Sequence, residues 1–181
     1  MKKSLCVIPL AVLICFMFAC QNKAEKAELE KFRAQAKVEE QNKELFRKAC
    51  EGVNTGNFEY LNEAMAPDYA YFYPSENLKS ISREESIAVI KMFKEGFPDL
   101  SFNIVESAAV GDMVISRYIV RGTHTATFQG IPATGNKVEI STMNWCLFRD
   151  GKVVTEREEY DTLGFMQQLG MELKPKEAER K

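Results

Sequence analysis

Histidine is almost absent: the 181 residues contain one, His124. A three-histidine zinc site is therefore excluded, and any mixed histidine–cysteine cluster would be thin. The ten glycines are scattered. They never take the GxGxxG spacing, nor the P-loop spacing that ends in Lys and a hydroxyl residue, so the commonest nucleotide-binding loops are excluded. Neither sign of charge prevails, with 24 Lys+Arg against 26 Asp+Glu and a net charge of −2. The basic footprint of a nucleic-acid binder is missing, and no nucleic-acid partner is expected. What is present is the balance of a soluble globular chain, 45% hydrophobic and 28% charged, which argues against wholesale disorder. With about twenty residues set aside for targeting, the length suits one domain.

Those first residues read as an address. Lys2 and Lys3 precede a nearly unbroken apolar run from Leu5 to Phe18, short for a membrane span, and the polar Gln21-Asn22-Lys23 follows at once. The run ends Met17-Phe18-Ala19-Cys20, which resembles the lipobox of bacterial lipoproteins. The resemblance implies cleavage before Cys20, a diacylglycerol on its thiol, fatty acyl chains such as palmitate, and a cell-envelope location. The lack of Asp after Cys20 points to outer-membrane sorting. A plain secretory signal is the alternative. Cys50 and Cys146 are then the cysteines left in the mature chain, read as small buried side chains with a disulfide left open.

Four segments are expected: a signal at 1–19, the lipidated Cys20 with a polar helical spacer to 41, a folded domain over 42–170, and a polar tail over 171–181. The spacer is rich in Ala, Glu, Lys and Gln and has little to bury. In the domain, Lys43–Glu51 reads as helix, Asn54–Asn57 as a turn, and Phe58, Leu61, Ala64 and Met65 recur at helical spacing before Pro67. Tyr69 to Pro74 reads as a short extended segment. Ser82 with Glu85 has capping-box form and opens a helix towards Gly96. From Ser101 the period becomes two. Strands are expected to Val110, over Val114–Phe128, Lys137–Arg149 and Val153–Asp161, with turns at Gly111-Asp112 and Asp150-Gly151 and a short helix over Leu163–Leu169. Helices followed by an antiparallel meander give an α+β fold.

Three stretches carry a further resemblance: Phe97-Pro98-Asp99-Leu100; Arg117 through Gly122-Thr123-His124 to the loop Gly130-Ile131-Pro132-Ala133-Thr134-Gly135; and Asp150-Gly151-Lys152 through Asp161 to Leu163–Gly170. Together they resemble the SnoaL-like polyketide cyclase family, among the nuclear transport factor two-like cone folds, over about residues 42 to 170. The resemblance implies a curved antiparallel sheet wrapped on the N-terminal helices, a pocket at its open end, a small, mostly apolar ligand, no cofactor, and pairing of two copies through the sheet's exposed face. It also implies intramolecular aldol closure by a carboxylate near the end of the last strand, which by motif position is Asp161. The chain departs from the family in having the aromatic run Tyr69-Ala70-Tyr71-Phe72-Tyr73 where a histidine is common, and Arg157 where tryptophan is common. Both departures point to a different ligand, or to no reaction.

Asp161 and His124 are thus the catalytic candidates, a carboxylate with a raised pKa and an imidazole being suited to moving protons. Alternation places Arg157, Glu159 and Asp161 on one face of the last strand and Glu156, Glu158 and Tyr160 on the other. Helix capping or an Arg157–Asp161 ion pair are structural readings of Asp161, and a sheet hydrogen bond is one for His124. Arg117, Trp145, Arg157, Tyr71 and Tyr73 are the ligand-binding candidates, with Arg117 on the opposite parity from His124. Core packing explains the aromatic residues equally well. No metal site is expected, since alternation splits the acidic run across two faces. A binding or dimerisation module without catalysis is the competing function.

Overall fold

The computed structural model describes residues 7–73, 79–172 and 174, with side chains from residue 23 onward. The expected signal and Cys20 therefore rest on side chains outside the described residues, as do Pro74 and most of the expected tail. Helix α1 runs Val7–Thr55. The chain divides into two compact units, one ending at Val38 and one starting at Glu39. In the first, residues 23–38 are helical and exposed. Among the described residues no helix is long and apolar enough to cross a membrane.

The second unit begins with the last turns of α1, whose Phe46, Cys50 and Val53 recur at helical spacing and are buried. Gly56, in the left-handed region at φ 74°, turns the chain into α2 (Glu59–Ala64). Strand β1 (Met65–Phe72) starts earlier than the aromatic run alone suggests, and β2 (Ser80–Ile81) pairs with it. The capping box forms: Ser82 accepts from Glu85 N–H at the start of α3 (Arg83–Gly96), and the Glu85 carboxylate accepts from Ser82 N–H at 2.8 Å. Strands β3 (Ser101–Val110), β4 (Met113–Thr123), β5 (Lys137–Arg149) and β6 (Lys152–Tyr160) form the meander, and α4 (Thr162–Gln168) ends the domain.

The sheet has six strands in the order β2-β1-β6-β5-β4-β3. One expectation is corrected here: the sheet is mixed, because β1 lies parallel to β6. Strand β1, which follows α2 near the start of the domain, lies between β2 and β6, a long-range pairing that strand periodicity does not contain. A second correction concerns β4, which ends at Thr123, short of the expected Phe128. Beyond it, Phe128 and Ile131 form only an isolated bridge around the loop.

Strand β5 alternates strictly, with Val138, Ile140, Thr142, Asn144, Cys146 and Phe148 inward and Trp145 and Leu147 outward. Its pairing with β6 shifts register: Phe148 faces Val153, whereas Leu147 faces Thr155. Val154 is the extra residue, and both Val153 and Val154 are buried. Beyond this bulge Glu156 stands opposite Cys146, Glu158 opposite Asn144 and Tyr160 opposite Thr142. Directly opposed residues share a face, so all three point inward.

Candidate functional site

Between α3 and the inner face of the sheet lies a cavity of about 650 Å³, its open mouth included. Val89, Ile90 and Phe93 of α3 form one wall, and Phe102, Val120 and Ile140 another; Tyr71, Tyr73 and Tyr160 crowd one end. Glu156 and Glu158 are the acidic groups on this mostly apolar lining, which also includes Ser86 and Thr142. An aromatic cavity with a few convergent polar groups has the composition of a site for a small organic molecule.

The two carboxylates are held by hydrogen bonds to neutral groups. Tyr69 Oη donates to Glu156 Oε2 at 2.5 Å, and Asn144 Nδ2 donates to Glu156 Oε1 at 2.9 Å. Tyr118 Oη donates to Glu158 Oε2 at 2.7 Å, and the Tyr71 hydroxyl also supports this carboxylate. Both glutamates retain some accessible surface, and that surface is cavity wall. Burial raises the Glu156 carboxyl, against the opposing effect of the Tyr69 and Asn144 donors. Burial also pushes Glu158 up, to about 7, and the neighbouring Glu156 charge adds to it, while the Tyr118 and Tyr71 hydrogen bonds pull the other way. Burial and the same acidic neighbours hold the Tyr69, Tyr71 and Tyr118 hydroxyls well above the ordinary tyrosine range, so these groups remain donors.

The candidates read from the sequence separate into three places. Tyr71 and Tyr73 line the cavity, edge to face with ring centroids 4.9 Å apart. Arg117, Trp145 and Arg157 lie on the other face of the sheet: Arg117 pairs with Glu106 at 3.1 Å, Trp145 is 37% exposed, and Arg157 stacks over the Phe72 ring at 3.9 Å. Arg157 takes Phe72 because the two residues are cross-strand partners, and among the described residues it makes no ion pair with Asp161. Asp161 is exposed and caps α4, its Oδ1 accepting from Gly164 N–H at 2.8 Å. It is not among the residues lining the cavity.

His124 lies just past the end of β4, fully buried, with its ring stacked on Phe97 at 5.1 Å. Thr134 N–H donates to its Nδ1 at 3.3 Å and the Thr134 hydroxyl lies 3.0 Å from the same atom, while Nε2 has no partner among the described residues. The imidazole pins the loop before β5 to the core and does not reach the cavity lining. Its parity with Val114, Ser116 and Tyr118 is as the alternation predicts.

The residues missed as candidates are Glu156 and Glu158. Alternation does place them together with Tyr160, but a glutamate in a strand ordinarily faces water. The signal that turns them inward is the Val154 bulge, together with their pairing against Asn144 and Cys146.

A family model for SnoaL-like polyketide cyclases matches residues 43–169. Among solved structures, IdmH of Streptomyces antibioticus, a candidate polyketide cyclase, is 28% identical, covers 72% of this chain and 99% of its own, and superposes with a TM-score of 0.64. A candidate SnoaL-like polyketide cyclase from Jannaschia sp. CCS1 shares the fold at 24% identity, covering 75% and 96% of the two chains with a TM-score of 0.68. AclR of Streptomyces galilaeus, a candidate hydroxylase, shares it at 23% identity, 71% and 95% coverage and a TM-score of 0.65. No curated protein matches the chain. The expected α+β cone architecture is the one present. Neighbours described as cyclase and as hydroxylase share it, so the activity is to be argued from the site.

The raised Glu158 carboxyl has a consequence for stability. Unfolded, the group releases its proton near 4.5; folded, near 7. Between these values the unfolded chain binds fewer protons, so this group's contribution is complete below about pH 4.5 and fades as pH rises to about 7. Thermal denaturation at pH 5 and pH 8 is expected to show Glu158→Gln gaining on the wild type at the higher pH. A difference that does not change with pH would contradict the assignment.

Proposed function

Since the chain belongs to the SnoaL-like polyketide cyclase family, we propose that its cavity binds a small, largely apolar carbonyl compound and moves a proton between carbon and oxygen without a cofactor, with Glu158 as the acid/base. The observation that carries this reading is the pair of carboxylates on an apolar cavity wall, one of them poised near neutral pH. Ionised Glu158 takes a proton from the carbon next to a carbonyl. The C–H electron pair becomes the enolate double bond, and the charge passes to the carbonyl oxygen. Tyr160 also lines the cavity, its hydroxyl raised by burial and by the nearby Glu158 charge, where a donor to that oxygen is required. In a cyclisation, the enolate carbon then attacks a second carbonyl of the same molecule, forming a C–C bond, and the resulting alkoxide takes the proton back from Glu158. The role expected of Asp161 passes to Glu158 because the Asp161 carboxylate is exposed and engaged as a helix cap.

The reading is tested by α-proton exchange of acetophenone in D2O, followed by NMR. Glu158→Gln is expected to lower the protein-catalysed rate by about 100-fold or more, whereas Asp161→Asn leaves it within about threefold. The wild-type rate rises with pH through about 7 as Glu158 ionises. The reverse ranking of the two variants would overturn the assignment. Absence of any catalysed exchange, with acetophenone still bound, would favour the competing binding module; saturation of both Glu156 oxygens by Tyr69 and Asn144 is what supports that alternative.

Two further parts of the proposal concern placement. The positive start, the apolar run and Ala19-Cys20 support lipidation at Cys20 and tethering to the cell envelope, with the exposed helical residues after Asn22 as spacer. Metabolic labelling with palmitate is expected to mark the wild type and not Cys20→Ala; equal labelling would contradict it. The outer sheet face leaves Ile115, Met143, Trp145 and Leu147 exposed, which supports pairing of two copies there. Sedimentation is expected to give a dimer that Trp145→Glu dissociates, and a monomeric wild type would contradict it.

A further inference from the structure

Beside the cavity lies a second chamber, about 480 Å³ with open solvent space included. Its wall comes from Phe46, Ala49, Cys50 and Val53 of α1, from Leu61 and Ala64 of α2, and from Met65, Tyr118, Cys146 and Val153 of the sheet. The polar groups here are already committed. The Tyr118 hydroxyl is given to Glu158, and burial holds the Cys50 and Cys146 thiols well above their ordinary range, so both remain neutral. The chamber has room because α1 and α2 line it with the small residues Ala49, Cys50 and Ala64.

Cavity and chamber share three lining residues, Ile90, Phe102 and Glu156. The partition between them is therefore side chain. Phe102 stacks on Tyr118 with centroids 5.3 Å apart, and its backbone is clamped on both sides by Asn54, whose Oδ1 accepts from Phe102 N–H at 2.6 Å and whose Nδ2 donates to Phe102 O at 3.0 Å. Ile90 and Phe102 are only partly buried, and both stand between the two spaces on side chains with rotatable bonds. Glu156 stays in the seam, fastened by Tyr69 and Asn144.

We propose that cavity and chamber are two compartments of one binding site, the chamber receiving the hydrocarbon arm of an elongated ketone whose carbonyl sits at the carboxylates. This rests on the reading of the cavity as a carbonyl site, and it makes Ile90 and Phe102 the residues that set ligand length. Val89 lines the cavity alone and Met65 the chamber alone, so their methyl groups report the compartments separately.

The test is a methyl NMR titration of the purified full chain with acetophenone and with 4-hexylacetophenone. Acetophenone is expected to shift Val89 and leave Met65 in place, whereas the hexyl compound shifts both and binds at least about tenfold more tightly, since each buried methylene contributes to affinity. Ala49→Phe, which fills the chamber, is expected to bring the two ligands within about threefold of each other; measurement on the wild type does not depend on how that variant folds. If both ligands shift Val89 and neither shifts Met65, the two-compartment proposal fails while the carbonyl site stands. If neither shifts Val89, both fail.

Discussion

The site depends on one local irregularity in the sheet, the extra residue Val154 in β6. Without it, the alternation that buries Val153 would send Glu156 and Glu158 to the outer face. With it, two carboxylates enter an apolar interior, where an ionised group is costly unless it is hydrogen-bonded. The rest of the inner face answers that constraint. Tyr69, Tyr118 and Asn144 come from three different strands, β1, β4 and β5, and each gives its donor to one of the two acids. The parallel pairing of β1 with β6 brings Tyr69 and Tyr71 alongside and thereby ties the start of the domain to its functional edge.

Among the described residues the donors to the two acids are neutral, and that sets the electrostatics of the pair. An arginine in their place would fix the carboxylates as anions, as Arg149 does for Asp68 on the surface, where the Asp68 carboxyl is held below its ordinary range. Phenol and amide donors support the charge without cancelling it. Burial and mutual repulsion can then hold a proton on Glu158 near neutral pH. The arginine of β6, Arg157, is on the opposite face over Phe72, so it leaves the acids free of a countercharge.

Much of this fold was legible in the sequence. Strand β5 has the expected limits, α3 opens on the expected capping box, and the parity that buries His124 with Tyr118 followed from alternation. The mixed sheet was not legible, because the β1–β6 pairing joins segments about ninety residues apart and leaves no periodic trace. Of the candidate residues, Tyr71 and Tyr73 line the cavity, and alternation groups Glu156 with Glu158 while leaving their face unassigned. A bulge is set by how two strands close on each other, and a carboxylate in a strand looks like a solvated one until its partner strand is known. Motif position led instead to Asp161, whose carboxylate in three dimensions serves the first turn of α4. His124 drew attention by being the single histidine, yet its ring is spent on Thr134 and Phe97.

The proposed chemistry turns on a proton that resides on Glu158, within the cavity, up to neutral pH. It is measured most directly by carboxyl carbon NMR of the full chain labelled at glutamate, with Glu158 assigned by its loss in Glu158→Gln and followed from pH 4 to pH 9. The account predicts a titration midpoint near 7, displaced downward when Glu156→Gln removes the neighbouring charge. A midpoint near the ordinary glutamate value of 4.5 would contradict it.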